Sequence, residues 1–297
     1  MKRFIICIVM IIFAILTCSC EDQGEIDQKD IDSIYEIDVG CFKQETQVNH
    51  KNIINNDEVV SVDENALKTR TLSLGGCDYE MIYQDSIYYP VGDYKVDRYF
   101  IDGNEEKSVL VNRNGDIYAL FFAFSEINIS NTDTPEDVLP VLREELGKII
   151  DMTKYEKVHI PKMSESDKEN GFRTYSFTFY NERYGFTSDT VTVFVSGNGN
   201  VRNLRIYDFP DELLSTKIEN KKVEQLVEAK IKDMYTTDYV EYISCRIFGE
   251  KKLVIYQGEP CILCSVSPQY YEKESDKEWP GWLFDILIPT RLAATNP

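Results

Sequence analysis

The chain has 297 residues with 51 acidic against 32 basic side chains, a net charge of −19, which repels phosphate backbones and excludes nucleic acid as a natural partner. Hydrophobic residues make up 43% and aromatics 12%, enough apolar surface for packed cores, which excludes global disorder. The 19 tyrosines and 15 phenylalanines favour strands, where rings pack on a pleated surface.

At the N-terminus, Lys2 and Arg3 precede an uninterrupted apolar run over residues 4–16. That length suits a secretory h-region and falls short of the roughly 20 apolar residues that span a bilayer. Leu16-Thr17-Cys18-Ser19-Cys20 comes next, then Glu21-Asp22. With the small Ser19 before Cys20, this stretch resembles the lipobox of bacterial lipoproteins. Cys18 is the poorer acceptor because branched Thr17 would occupy the cleavage site, and Thr17 also replaces the leucine the family prefers three residues before the cysteine. The resemblance implies a signal peptide over residues 1–19 and a two-chain glyceride on Cys20, holding the chain at the extracytoplasmic face of the cell membrane. Each buried CH₂ contributes about 0.8 kcal/mol, and two acyl chains suffice for stable anchoring. Simple secretion and an uncleaved membrane anchor are the competing readings.

Residues 20–67 are rich in Asp, Glu, Asn and Gln and read as a flexible acidic tether. As a coil it would hold the body about 35–40 Å from the membrane, with residues 31–37 patterned to dock as a short amphipathic segment. Residues 68–133 read as β-rich. The best local signal there is Asn112-Arg113-Asn114-Gly115-Asp116 between two apolar runs, because Asn-Gly supplies the positive φ of a tight hairpin turn.

A helix start comes next, with Thr134 as N-cap, Pro135 at the first helical position and Asp137 three residues after the cap. Val138, Leu142, Leu146, Ile149 and Ile150 share one face, although Pro140 should bend the helix. Tyr175, Phe177 and Phe179, then Val191, Val193 and Val195, alternate as half-buried strands do, and Gly197-Asn198-Gly199-Asn200 is the next turn. A second helix, capped by Asn220, carries Val223, Leu226, Val227, Ile231 and Met234 on one face. Strands are expected after it over 239–248, 253–256, 261–266 and 282–288, with turns at Gly249-Glu250 and Gly258-Glu259-Pro260.

The chain thus reads as α+β: two helix-then-antiparallel-meander units, 134–209 and 217–290, preceded by a β-rich region. Coincidence of element order explains the likeness of the two units nearly as well as a true repeat. Helix followed by three or four antiparallel strands is the layout of PepSY-type and cystatin-like modules, and the chain is similar to bacterial extracytoplasmic lipoproteins of that plan. The resemblance covers about half the chain and rests on element order, so it transfers no site residue. It implies a role in binding or restraining secreted peptidases.

Chemistry-bearing motifs are sparse. His50 lies in the tether and His159 in an expected strand, and neither belongs to a zinc pattern or a Gly-x-Ser-x-Gly elbow. Beyond the leader stand Cys41, Cys77, Cys245, Cys261 and Cys264, an odd number whose pairing the sequence leaves open. Cys261-Ile262-Leu263-Cys264 has redox spacing but strand flanks, where positions i and i+3 face opposite ways. Asp208, Asp211 and Glu212 form an acidic grouping that suits calcium or a carboxylate pair only weakly. No metal and no cofactor is expected. Both tryptophans fall in Trp279-Pro280-Gly281-Trp282, and they are the binding candidates, since tryptophan is enriched at interface hot spots. In the competing arrangement Trp282 opens the last strand and fills the core. These readings point to a non-catalytic, lipid-anchored binding protein with a protein partner on the cell surface. An envelope hydrolase and a sensory or assembly lipoprotein are the alternatives.

Overall fold

The computed structural model describes residues 26–38, 40, 42, 47–130, 133–162, 173–214 and 216–295. The leader, Cys20 and Cys41 lie outside the described residues.

The chain begins with the short helix α1 (Gln28–Asp32) and strands β1 (Tyr35–Asp38), β2 (Ile53–Asn55) and β3 (Val59–Ser61). A run of long strands comes after them: β4 (Thr69–Leu74), β5 (Cys77–Tyr89), β6 (Tyr94–Ile101), β7 (Asn104–Asn112) and β8 (Ile117–Glu126). Helix α2 (Pro135–Leu146) leads to β9 (Lys157–His159), β10 (Tyr175–Arg183), β11 (Phe186–Val195) and β12 (Asn200–Tyr207). Helix α3 (Asn220–Met234) precedes β13 (Val240–Tyr256), β14 (Glu259–Glu272), β15 (Lys277–Pro280) and β16 (Phe284–Pro289), and α4 (Thr290–Ala293) closes the chain.

Several local signals behave as their chemistry dictates. Thr134 and Asp137 form a reciprocal capping box at the start of α2, satisfying two amides that a helix start leaves orphaned. In the β7–β8 turn the Asn112 carboxamide bonds both the Asp116 amide and its carboxylate at 3.0 Å, while Gly115 adopts φ +94°. In β10 and β11 the expected alternation holds, with Phe177, Phe179, Val191, Val193 and Val195 fully buried. Two expectations shift. The cap of α3 is Glu219 without a side-chain bond, and Asn220 is already helical. Gly249-Glu250 is no turn but a bulge inside the continuous β13, where the register with β14 slips between Phe248 and Lys252. Glycine at φ +65° lets the strand bend there without stopping.

The expected α+β arrangement of helix-then-meander units is corrected. Strand accounts for 52% of the described residues and helix for 17%, and the sixteen strands join in one mixed sheet network with only four short helices. Strand β8 pairs with β12, which fuses the β-rich region to the first of the expected units. Strands β3 to β12 form one antiparallel sheet; its main core runs from Leu72 through Leu142 of α2 to Leu204, and Ile87, Val96, Leu110 and Ala119 form a separate smaller cluster. The remaining strands run β2-β1-β16-β14-β13, with β15 on the outer edge of β14, and enclose a second core with α3. Between the two halves the ladder narrows to one parallel step, Thr187 beside Lys252.

The tether expectation is corrected as well for the part described. Strand β1 lies between β16 and β2, with Ile37 buried. Its Glu36 is wholly buried and accepts bonds from Lys230 Nζ of α3 at 2.6 Å and the Lys51 amide at 3.0 Å, with His50 Nδ1 at 2.9 Å. A buried charge of this kind stands only when paired and hydrogen-bonded. Acidic composition suggested solvation, whereas Ile34, Ile37 and Ile54 supply the buried side of the segment.

Candidate functional site

A cleft of about 780 Å³ opens at the junction of the two halves, within the usual range for ligand pockets of roughly 300–1,000 Å³. Four separate segments bring tyrosines to it. Tyr94 opens β6 just after the Gly92-Asp93 turn, and Tyr118 stands near the start of β8. Tyr155 comes after a single 3₁₀ turn (Met152–Lys154) beyond α2, and Tyr207 ends β12. Ile255 of β13 closes the far wall.

Each tyrosine is positioned by a particular constraint. Gly92 has φ +108°, and a Cβ there would collide with the Tyr94 ring, so only glycine lets the ring fold back over its turn. The turn is itself clasped to the second half: the Gly92 amide donates to the Ile255 carbonyl at 2.6 Å. Asp93 accepts from the Gly258 amide and the Tyr88 hydroxyl, each at 2.7 Å. Tyr94 and Tyr118 have ring centroids 4.6 Å apart and share a hydrogen bond between their phenol oxygens. Arg143 of α2 donates to the Met152 and Tyr155 carbonyls at 3.3 and 2.6 Å, fixing the turn that presents Tyr155. The Tyr155 hydroxyl donates to Asp208 at 2.9 Å.

Burial is the first cause pushing all four phenols above their ordinary range. A neighbouring tyrosine adds to it for Tyr94 and Tyr207, and the Asp208 charge for Tyr155. They therefore remain protonated donors across the neutral range. In the Tyr94–Tyr118 pair one proton bridges the oxygens and the other remains to be offered. The Tyr207 oxygen is buried and has no hydrogen-bond partner among the described residues. The carboxylates of the cleft are already engaged. Asp116 is held by Asn112, Asp208 by Tyr155, and Asp151 by the Thr153 amide and hydroxyl, which keep it below the usual carboxylate range.

The residues nominated from sequence are not brought to this cleft, apart from Asp208. Asp211 is exposed and pairs with Arg183, Glu212 is exposed, and among the described residues no three His, Cys, Asp or Glu side chains converge as a metal site. His50 is bound into the Glu36 network, and His159 sits in β9 opposite Thr178. Cys261 and Cys264 are both buried as free thiols, in different cores on opposite faces of β14. Trp279 pairs across β15 with Tyr270 and is 45% exposed. Trp282 does not open the last strand or fill the core: it lies before β16 and is 51% exposed. The reason is register, since Phe284 is the first residue of that run to pair with β14 and reach the buried face.

The cleft was missed in sequence because its tyrosines come from positions 94, 118, 155 and 207, in no local pattern. The excess of tyrosine over other aromatics was the available signal. No helix of the described residues is long and apolar enough to cross a membrane. No protein-family model, curated protein or solved structure matches the chain.

Proposed function

We propose that this chain is a non-catalytic binding protein, lipid-anchored through Cys20 at the extracytoplasmic face of the cell membrane, with the tyrosine cleft as its ligand seat. The observation that carries the reading is the convergence of four protonated phenols on one cavity whose carboxylates are all tied to protein donors. Such a surface offers ring faces, aliphatic walls and the uncommitted proton of the Tyr94–Tyr118 pair, the composition typical of small-molecule seats. A hydrolase of the carboxylate type needs one acid and one base free to face the substrate, and engaged carboxylates favour binding over that alternative. The peptidase-restraining role implied by the helix-then-meander likeness is not retained, because the fold that carried it is not the one found.

Two measurements test the proposal. Fluorinated phenol and amide fragments, read by ¹⁹F NMR line broadening, should bind the purified protein. Ile150→Arg, which fills the cleft from its wall, should weaken that binding at least tenfold in protein that still shows the native circular-dichroism spectrum, with some loss of melting temperature because Ile150 also packs on the first core. Equal binding by both proteins would remove the cleft as the seat. For the anchor, Cys20→Ala should abolish incorporation of alkynyl palmitate and release the protein from membranes. Labelling that persists until Cys18→Ala is introduced would reassign the acceptor.

A further inference from the structure

Three structural elements meet at the C-terminal end of α3. The first is the start of the described chain: Ile26 packs on the second core, Gln28 Nε2 of α1 bonds Asp233 at 3.2 Å, and Lys51 Nζ bonds the same carboxylate at 3.1 Å. The Asn49 amide donates to the Met234 carbonyl, and the Thr237 hydroxyl to the Gln47 carbonyl. The second is the near end of the β13–β14–β15 ribbon. There the Lys273 amide donates to the Tyr239 carbonyl at 2.9 Å, and the Tyr235 ring lies 5.2 Å from that of Tyr270, the strand partner of Trp279. The third is the segment leading into β16, whose Gly281 amide bonds the Pro268 carbonyl at 2.8 Å.

This end carries a concentration of exposed large apolar side chains. Tyr239 is 51% exposed, Trp279 45%, Trp282 51% and Leu283 56%, with Ile243 at the adjoining bulge of β13. Exposed apolar side chains gathered in one place mark an interaction surface. Trp and Tyr suit one environment in particular, the membrane–water boundary, where the ring is buried and its N–H or O–H stays wet.

We infer that this aromatic tip is the membrane-facing end of the protein, resting in the headgroup layer of the bilayer that holds the Cys20 lipid. The inference depends on the Cys20 anchor of the proposed function. Five residues lie between Cys20 and Ile26, six Cα steps with a reach of at most about 21 Å at roughly 3.5 Å per step. A lipid on Cys20 therefore confines the Ile26 end of the fold, and the tip packed beside it, to the neighbourhood of the membrane. The tether of residues 20–67 expected from composition would have left the body free to turn, whereas Ile26 already packs on the second core. Charge identifies the kind of surface. The loop beside the tip holds Glu272, Glu274, Asp276 and Glu278 against Lys273 and Lys277, so docking rests on aromatic burial and suits zwitterionic rather than anionic headgroups.

Both tryptophans of the chain stand at this tip, so intrinsic tryptophan emission reports on it alone. The test uses the lipid-modified full chain in phosphatidylcholine vesicles, with and without bromine on the acyl chains. The expected result is emission at shorter wavelength than for the Cys20→Ala protein in buffer, and at least twofold quenching by brominated lipid. Quenching should be unchanged between 0.1 and roughly 1 M salt, a range over which the Debye length falls from about 10 to about 3 Å. Trp279→Ala and Trp282→Ala should each keep the wild-type melting temperature, showing that the tip is surface rather than core. Protein that carries lipid and floats with vesicles, yet shows neither shift nor quenching, would overturn the inference and leave the anchor standing. Protein with no lipid label that fails to float would overturn the anchor reading itself and this inference with it.

Discussion

At the scale of single residues, the cysteines show how burial decides chemistry. Desolvation first, with nearby negative charge where present, pushes the thiols of Cys245, Cys261 and Cys264 up to about 12. The thiolate is the reactive species, so at pH 8 these three are almost wholly protonated, and Cys261 and Cys264 are sterically closed as well, whereas Cys245 is half-buried. Cys77 is exposed beside the Gly75-Gly76 turn. Iodoacetamide at pH 8 should therefore alkylate Cys77 first in the native protein, Cys245 more slowly, and Cys261 and Cys264 only in denaturant, as peptide mass spectrometry can track. Prompt labelling of Cys261 or Cys264 in the folded protein would contradict the assigned burial. The sequence already placed this pair on opposite faces of a strand. It did not show that both faces of β14 are covered, because that depends on β1 arriving from the other end of the chain by way of β16.

At the scale of elements, strand β1 is held to helix α3 by one buried ion pair. Lys230→Met should leave the Glu36 carboxylate buried without its main partner and cost about 3–5 kcal/mol. The double variant Glu36→Leu with Lys230→Met should recover much of that loss, since it removes both charges together. Urea unfolding of the four corners of this cycle measures the coupling, and additive losses would show that the two side chains do not act as a pair. Elements whose signals are local were legible in sequence: the Thr134 capping box, the Asn112–Asp116 turn and the alternation in β10 and β11. Pairings between distant segments were not. Nothing in residues 117–126 names β12 as their neighbour, and the pattern of residues 31–37 shows a segment able to dock but not that it pairs with β16. The tyrosine cleft depends on those same pairings, which is why its residues could be counted in the sequence but not assembled.

At the scale of the molecule, two cores meet at a narrow seam. One parallel step, Thr187 beside Lys252, is reinforced by the clasp of the β5–β6 turn on the β13–β14 turn, in which Asp93 accepts two bonds at 2.7 Å. Asp93→Ala removes both and leaves the Gly258 amide and the Tyr88 hydroxyl without this acceptor, a loss of about 1–3 kcal/mol. Calorimetry should then show unfolding at a lower temperature, with the Phe186 ring of β11 in the second core still joining the halves. An unchanged melting temperature would show that the Asp93–Gly258 contact is not what couples the halves. The length of β13 has a consequence for what reaches the cleft. Its 17 residues run from Val240 beside the aromatic tip to Tyr256 beside the clasp, up to about 50 Å at roughly 3.3 Å per residue. If the tip rests in the headgroups as inferred, the far end of that strand, bend at Gly249 included, holds the ligand seat beyond the Debye length of about 8 Å at physiological ionic strength. A molecule arriving at the tyrosines would then meet the acidic field of the protein rather than the charge of the lipid.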